Sequence, residues 1–172
     1  WVNSYRETST AFLGKKYVEL IQNFISIDQK YKAKITNIIQ NYKDINKNSS
    51  IKNSKDLSYD DFCENNKLKV YKEGYSQFIG ELYIQSLIDY SIVKDNIDYM
   101  LKYLDILLKN DDVNQESVEE MIICSNQLIL TTIDKIEPAD LSFIFNYLTF
   151  FSKNKKISKR LIFKLMDLKD KV

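Results

Sequence analysis

The side chains best suited to chemistry in this sequence are Cys63 and Cys124, the adjacent acids Asp60-Asp61 and Asp111-Asp112, and a run of lysines near the end. Two cysteines offer a disulfide or soft metal ligands, and paired carboxylates offer general acid and base work. Neither reading develops. The cysteines lie far apart without accompanying ligand types, so both read as ordinary small residues in a reducing compartment. The acid pairs stand in polar stretches, where adjacent acids read as solvated loop residues. The chain contains no histidine. That excludes a Ser-His-Asp or Cys-His nucleophile pair and any His-ligated metal site. No glycine-rich phosphate loop occurs either. The residues point away from an enzyme and imply no cofactor, metal or small-molecule substrate.

Charge is more informative. The net charge is +1, yet residues 153–172 hold eight basic groups against two acids, giving +6 and leaving −5 for the remainder. A basic end on a mildly acidic body points to an anionic partner, nucleic acid or an acidic protein surface. The alternative is a solvated helix end whose lysines lie near its C-terminus. Lys153, Lys155, Lys156 and Lys159 are the candidates for RNA phosphate contacts, each adding a salt-dependent increment. Little aromatic interleaving accompanies them, which argues against sequence-specific RNA reading.

The elements that must carry these residues are helical. The chain has 172 residues, enough for one domain with a sizeable core, and only one proline and three glycines. Long stretches of Leu, Ile, Lys, Glu, Asp and Tyr without strand-like alternation predict an all-α fold. No apolar run approaches the roughly 20 residues that span a bilayer. The chain opens on Trp1 rather than Met, as expected of a piece excised from a longer protein.

Helices are expected over about 8–25, 28–42, 67–89, 92–109, 115–135, 138–153 and 157–171, seven in all. Residues 1–42 form a first helix pair, 43–58 a mobile polar loop rich in Asn, Ser and Lys, and 59–172 a regular run of helices. Phe12, Leu13, Tyr17, Leu20, Ile21 and Phe24 fall at helical spacing in the first helix, and Tyr31, Ile35, Ile38, Ile39 and Tyr42 in the second. Pro138 suits a first helical turn, and Ser91 and Ser158 are candidate N-caps. Helix, short turn, helix at roughly 40–45 residues is the period of HEAT-like repeats; a simple bundle is the alternative.

Two helices stand out. Over 67–89, Tyr71, Tyr75, Phe78, Ile79 and Leu82 share one broad face, with Ile84, Leu87 and Ile88 on another, as suits packing on two sides. Gly80 then marks a close helix contact, because glycine costs about 1 kcal/mol against alanine in a helix. In the last helix Ile157, Leu161, Leu165 and Leu168 form the buried stripe. Phe163 falls nearly opposite, among Arg160, Asp167 and Asp170. A phenylalanine on the charged side has the character of an interface anchor, with Arg160 at its rim. Packing of Phe163 under a neighbouring helix is the competing reading.

Several segments carry a family resemblance. Phe78-Ile79-Gly80-Glu81-Leu82, followed by Tyr83, resembles a signature of the middle domain of eukaryotic translation initiation factor 4G. Ile92 and Asp95 match the opening of the next helix, Glu116-Ser117-Val118-Glu119 the start of the following one, and Leu130-Thr131-Thr132-Ile133 its end. The family has glycine after that isoleucine, where this chain has Asp134. Ser158 to Asp170 resembles the last signature, with Arg160, Phe163, Leu165, Asp167 and Asp170 in register. The likeness is strongest over 67–172 and corresponds to the C-terminal two-thirds of such a domain.

The resemblance implies a HEAT-repeat solenoid of antiparallel helix pairs. It also implies a non-catalytic, cytoplasmic scaffold that binds and stimulates a DEAD-box helicase of the initiation factor 4A type, with a cap-binding factor recruited through regions outside this chain. Phe163, Arg160, Asp167 and Leu82 carry over as helicase contacts. Leu82 has a rival reading, since its own periodicity says core, and Glu81 is expected to make a buried polar contact that orders its helix. The same domain type occurs in RNA surveillance, splicing and nuclear cap-binding factors. A nonspecific RNA-binding helical domain is the reading from another class.

Overall fold

The computed structural model describes residues 16–28, 30–40 and 58–172. Among them the chain is all-helical, with no strand. Residues 16–27 form α1, followed by α2 (Lys30–Gln40), α3 (Tyr59–Ile84), α4 (Tyr90–Lys109), α5 (Gln115–Thr132), α6 (Pro138–Phe151) and α7 (Lys159–Lys169). The expected polar loop, apart from Ser58, lies outside the described residues, as do Phe12 and Leu13.

Helix α3 is longer at its start and shorter at its end than the sequence pattern suggests. It begins at Tyr59 rather than at about 67, because Ser58 caps it. The Ser58 hydroxyl accepts from the Asp61 amide at 3.2 Å and donates to the Asp61 carboxylate at 2.7 Å. The two residues thereby close the first turn, and the acids of that turn face its positive end. The helix ends at Ile84 rather than 89 in a Schellman turn. Leu87 N–H donates to Leu82 C=O and Ser86 N–H to Tyr83 C=O, with Ser86 in the left-handed region at φ 57°. Leu87 and Ile88 therefore sit in the turn and not on the helix.

The other boundaries follow similar chemistry. Asn114 caps α5 by accepting from the amides of Glu116 and Ser117. Pro138 opens α6 in its first turn. Ser158 stands at the N-cap of α7 but makes no side-chain cap bond, and the cap of α4 is Asp89 rather than Ser91, which lies inside the helix. A short 3-10 turn, Ile133–Lys135, finishes α5. It is tied to the end of α3 by Tyr83 Oη donating to Lys135 C=O and Lys135 Nζ to Ile84 C=O.

The packing places α3, α5 and α7 side by side, with α5 in the middle. Their cross-contacts advance together: Lys69 meets Glu116 and Glu119, while Gly80 meets Thr131. On the other side, Glu119 meets Arg160 while Asn126 meets Lys164. The three helices hence run parallel. α4 packs on α5 and α6 on α7, forming a second row behind them. Tyr90 and Lys94 of α4 join this second row by binding Asp140 of α6. Ile79, Leu82, Met100, Leu101, Leu104, Ile122, Leu128, Leu148, Phe151 and Leu161 fill the space between the rows.

Gly80 is the close contact its position suggested. A Cβ there would lie 2.7 and 2.8 Å from Thr131 Cγ2 and Cβ. On α1 the buried positions are Val18 and Ile25, with Ile21 partly covered. Tyr17, Leu20 and Phe24, expected on the inner stripe, are exposed instead. Apolar residues lie on both sides of this helix, so spacing alone does not choose between them. On α2, Ile39 is buried and Tyr31 partly buried. No helix among the described residues is long and apolar enough to cross a membrane.

Candidate interaction surface

The α7 stripe folds as its period dictates. Ile157, Leu161, Leu165 and Leu168 are buried, and Phe163 on the opposite side is 64% exposed. Its alternative, burial under a neighbouring helix, is absent from the structure. Met166, one turn on, is also exposed. Arg160 and Asp167 lie exposed on the same helix. Arg160 is held rather than free, since its guanidinium pairs with Glu119 of α5.

That pairing belongs to a chain of charges crossing all three parallel helices. Lys69 of α3 binds Glu116 and, at 3.1 Å, Glu119; Glu119 in turn takes Arg160 of α7. Burial favours the neutral form of Glu119, but Lys69 and then Arg160 outweigh it and hold the carboxyl below its ordinary range. Burial likewise works against the Lys69 ammonium, and its bonds to Glu116 and Glu119 more than compensate, so its pKa is raised.

One turn deeper, Lys72 of α3 and Glu120 of α5 form an ion pair with side chains 1% and 4% exposed. Burial raises the Glu120 carboxyl, an effect Lys72 only partly offsets. Cys124, one turn along α5, is a buried free thiol pushed up to about 12 chiefly by its burial. A thiol so held is not a nucleophile at neutral pH. Cys63 is also free, on α3. Among the described residues no group of three metal-ligating side chains occurs.

Leu82 requires a correction as a partner contact. It is wholly buried between the rows, so it presents nothing to a docking protein. Its own periodicity was the better guide. Glu81 is buried at the rim of a cleft of about 290 Å³, lined also by Val18, Glu19, Ile84, Gln85, Thr131 and Asp134.

Comparison with protein-family models, curated proteins and solved structures finds no match to this chain.

The four candidate RNA-binding lysines divide. Lys153, Lys155 and Lys159 are exposed. Lys156 is engaged internally: its Nζ donates to Leu108 C=O at 3.0 Å and Asn110 C=O at 2.7 Å, closing the C-terminal end of α4. Its own carbonyl accepts from Gln115 Nε2. Helix ends leave carbonyls without partners, and a lysine reaching in from another loop satisfies two of them here. The sequence reading missed Phe150. It is 57% exposed on α6 and lines the same groove as Lys153 and Lys155. Helix α6 is apolar nearly all round, so no periodicity distinguishes its outward rings.

Proposed function

We propose that this chain is a HEAT-like helical-repeat scaffold of a translation initiation complex, one that binds and stimulates a DEAD-box RNA helicase of the initiation factor 4A type. The observation that carries the reading is Phe163, a large exposed ring on a charged helix face, flanked by an arginine already fixed in direction by Glu119. An exposed aromatic with an oriented charged neighbour is the composition of a binding hot spot. Three parallel helices in one row and two behind them support a repeat arrangement. The resemblance of 78–83 and 158–170 to the initiation-factor signatures supplies the partner.

Stimulation by a scaffold without catalytic groups works through differential affinity. A surface that binds one arrangement of the helicase lobes more tightly shifts the population towards it. The test is binding of this chain to a 4A-type helicase with ATP analogue and RNA present, for wild type and Phe163→Asp. Circular dichroism checks that the variant folds. Binding by the wild type and its loss in the folded variant support the proposal. Equal binding by both removes α7 from the interface.

The exposed lysines favour a second reading, in which the domain binds RNA without a helicase partner. It expects Lys153→Gln with Lys155→Gln to remove function and Phe163→Ala to leave it intact. A scaffold of RNA surveillance, splicing or nuclear cap binding is the alternative within the same resemblance.

A further inference from the structure

The groove at the end of α6 combines features that the linear sequence keeps apart. It has a volume of about 480 Å³ and is lined by Asn146, Thr149, Phe150, Lys153, Asn154 and Lys155. The Phe150 ring is exposed, yet it is not loose. It stands edge-on to Phe151, with centroids 5.5 Å apart, and Phe151 is fully buried in the core. The exposed ring is thus backed by a side chain of the hydrophobic core. Lys153 and Lys155 lie at the same groove, exposed, with no carboxylate partner among the described residues. Asn146 supplies an exposed side-chain amide, and the Thr149 hydroxyl is buried at the lining without a hydrogen-bond partner.

We propose that this groove binds single-stranded nucleic acid, with the Phe150 ring stacking on a base and Lys153 and Lys155 meeting the flanking phosphates. The proposal rests on the reading of the basic C-terminal end as an RNA contact, and it is independent of helicase docking through Phe163. The reasoning is one of complementary chemistry. An acidic protein segment would satisfy the lysines but offers no flat π-face for the ring. A duplex would satisfy the lysines but keeps its bases stacked inside. A single strand presents a phosphate and an open base face at every step. Such stacking tolerates any base, so this site grips without reading sequence.

The experiment is fluorescence anisotropy of a labelled short oligouridylate with the whole chain, repeated across a salt series. Wild type is compared with Phe150→Ala, Lys153→Gln, Lys155→Gln and the control Lys102→Gln, whose lysine lies on α4 outside the groove. Circular dichroism confirms that each variant folds. Phe150→Ala is expected to weaken binding roughly tenfold with its salt slope unchanged. Each groove lysine variant is expected to reduce the slope of log K against log salt by about 0.7, and Lys102→Gln to change nothing. Binding that survives Phe150→Ala intact overturns the proposal, leaving charge attraction alone. Absence of wild-type binding, or equal binding of a duplex or of polyglutamate, overturns it as well. Phe163→Asp is expected to bind the oligonucleotide like wild type, so loss of helicase docking and loss of this site are read separately.

Discussion

Glu119 and Arg160 pair across the α5–α7 contact three residues before the exposed Phe163 ring, while the same carboxylate holds Lys69 of α3. One acid therefore ties together three parallel helices and aims the arginine of the candidate interface. The pair with Arg160 is solvent-exposed on the arginine side, so its contribution to stability is small, about 0–1 kcal/mol. Its role is orientation. Arg160→Ala should change unfolding free energy by no more than about 1 kcal/mol and Phe163→Ala by no more than about 0.5 kcal/mol. Denaturant titration checks this, and a larger loss would mean that Phe163 packs against the fold.

Glu119 also sets an acid dependence. Its carboxyl is held below the ordinary value of 4.5 in the folded chain. The stability it contributes is therefore present above that value and is lost as pH falls through the folded pKa. Replacing it with glutamine should flatten the acid limb of a stability–pH curve while lowering stability at neutral pH. If the variant's curve runs parallel to the wild type's below pH 4.5, the assignment is wrong.

The buried Lys72–Glu120 pair predicts a strong asymmetry between single and double replacements. Removing either partner leaves an uncompensated charge inside the protein and should cost about 3–5 kcal/mol. Lys72→Met with Glu120→Leu should recover most of that loss, because apolar groups of similar size need no partner. Urea unfolding of the two singles and the double forms a cycle. Additive losses would show that the two groups do not face each other.

Backbone positions in α3 and in the turn that ends it give opposite signs. Gly80→Ala improves helix propensity by about 1 kcal/mol, but its Cβ would press on the branched Thr131 side chain. Overpacking of this kind costs about 1–3 kcal/mol, so the net change should be a loss of up to about 2 kcal/mol. Ser86 holds a left-handed conformation that glycine adopts without strain. Ser86→Gly should raise stability by about 0.5–1 kcal/mol. Thermal melts of both variants decide the signs.

At alkaline pH three groups act together. Burial, and then Tyr71, lift Tyr75 to about 12. Burial and then Asp140 raise Tyr90 further, and burial lifts Cys124 to about 12. The unfolded chain releases these protons near 9 to 10, before the folded chain does. Folding then requires proton uptake, and stability should fall as pH rises above about 9. Tyr90→Phe should make that decline shallower; an unchanged slope would refute the contribution of Tyr90.

How far the sequence speaks depends on how pure its local pattern is. In α7 the apolar residues occupy one stripe and Phe163 stands alone opposite, so both faces were legible. Gly80 was legible because glycine inside a helix asks for a packing reason. The start of α3 was not, because Asp60, Asp61, Asn65 and Asn66 resemble a polar loop until Ser58 and Asp61 are seen capping each other. Lys72 was invisible for a different cause. A single charge in a helix reads as solvated, and its partner lies 48 residues away. Phe150 was hidden among neighbouring rings, and only packing decides which of them turns outward.

The parallel row of α3, α5 and α7 has an electrostatic corollary. Each helix carries a macrodipole, positive at its start and negative at its end. The starts of α5 and α7 therefore share one edge of the molecule with the ends of α4 and α6, whose carbonyl oxygens point the other way. Front and back of that edge differ in sign at any pH, within the first and last turns and subject to screening by salt. Lys156 has been drawn to the negative side, where it neutralises the end of α4. The fold thereby sorts one short run of lysines into a cation that balances its own backbone and others, Lys153 and Lys155, whose charge remains available to a visitor.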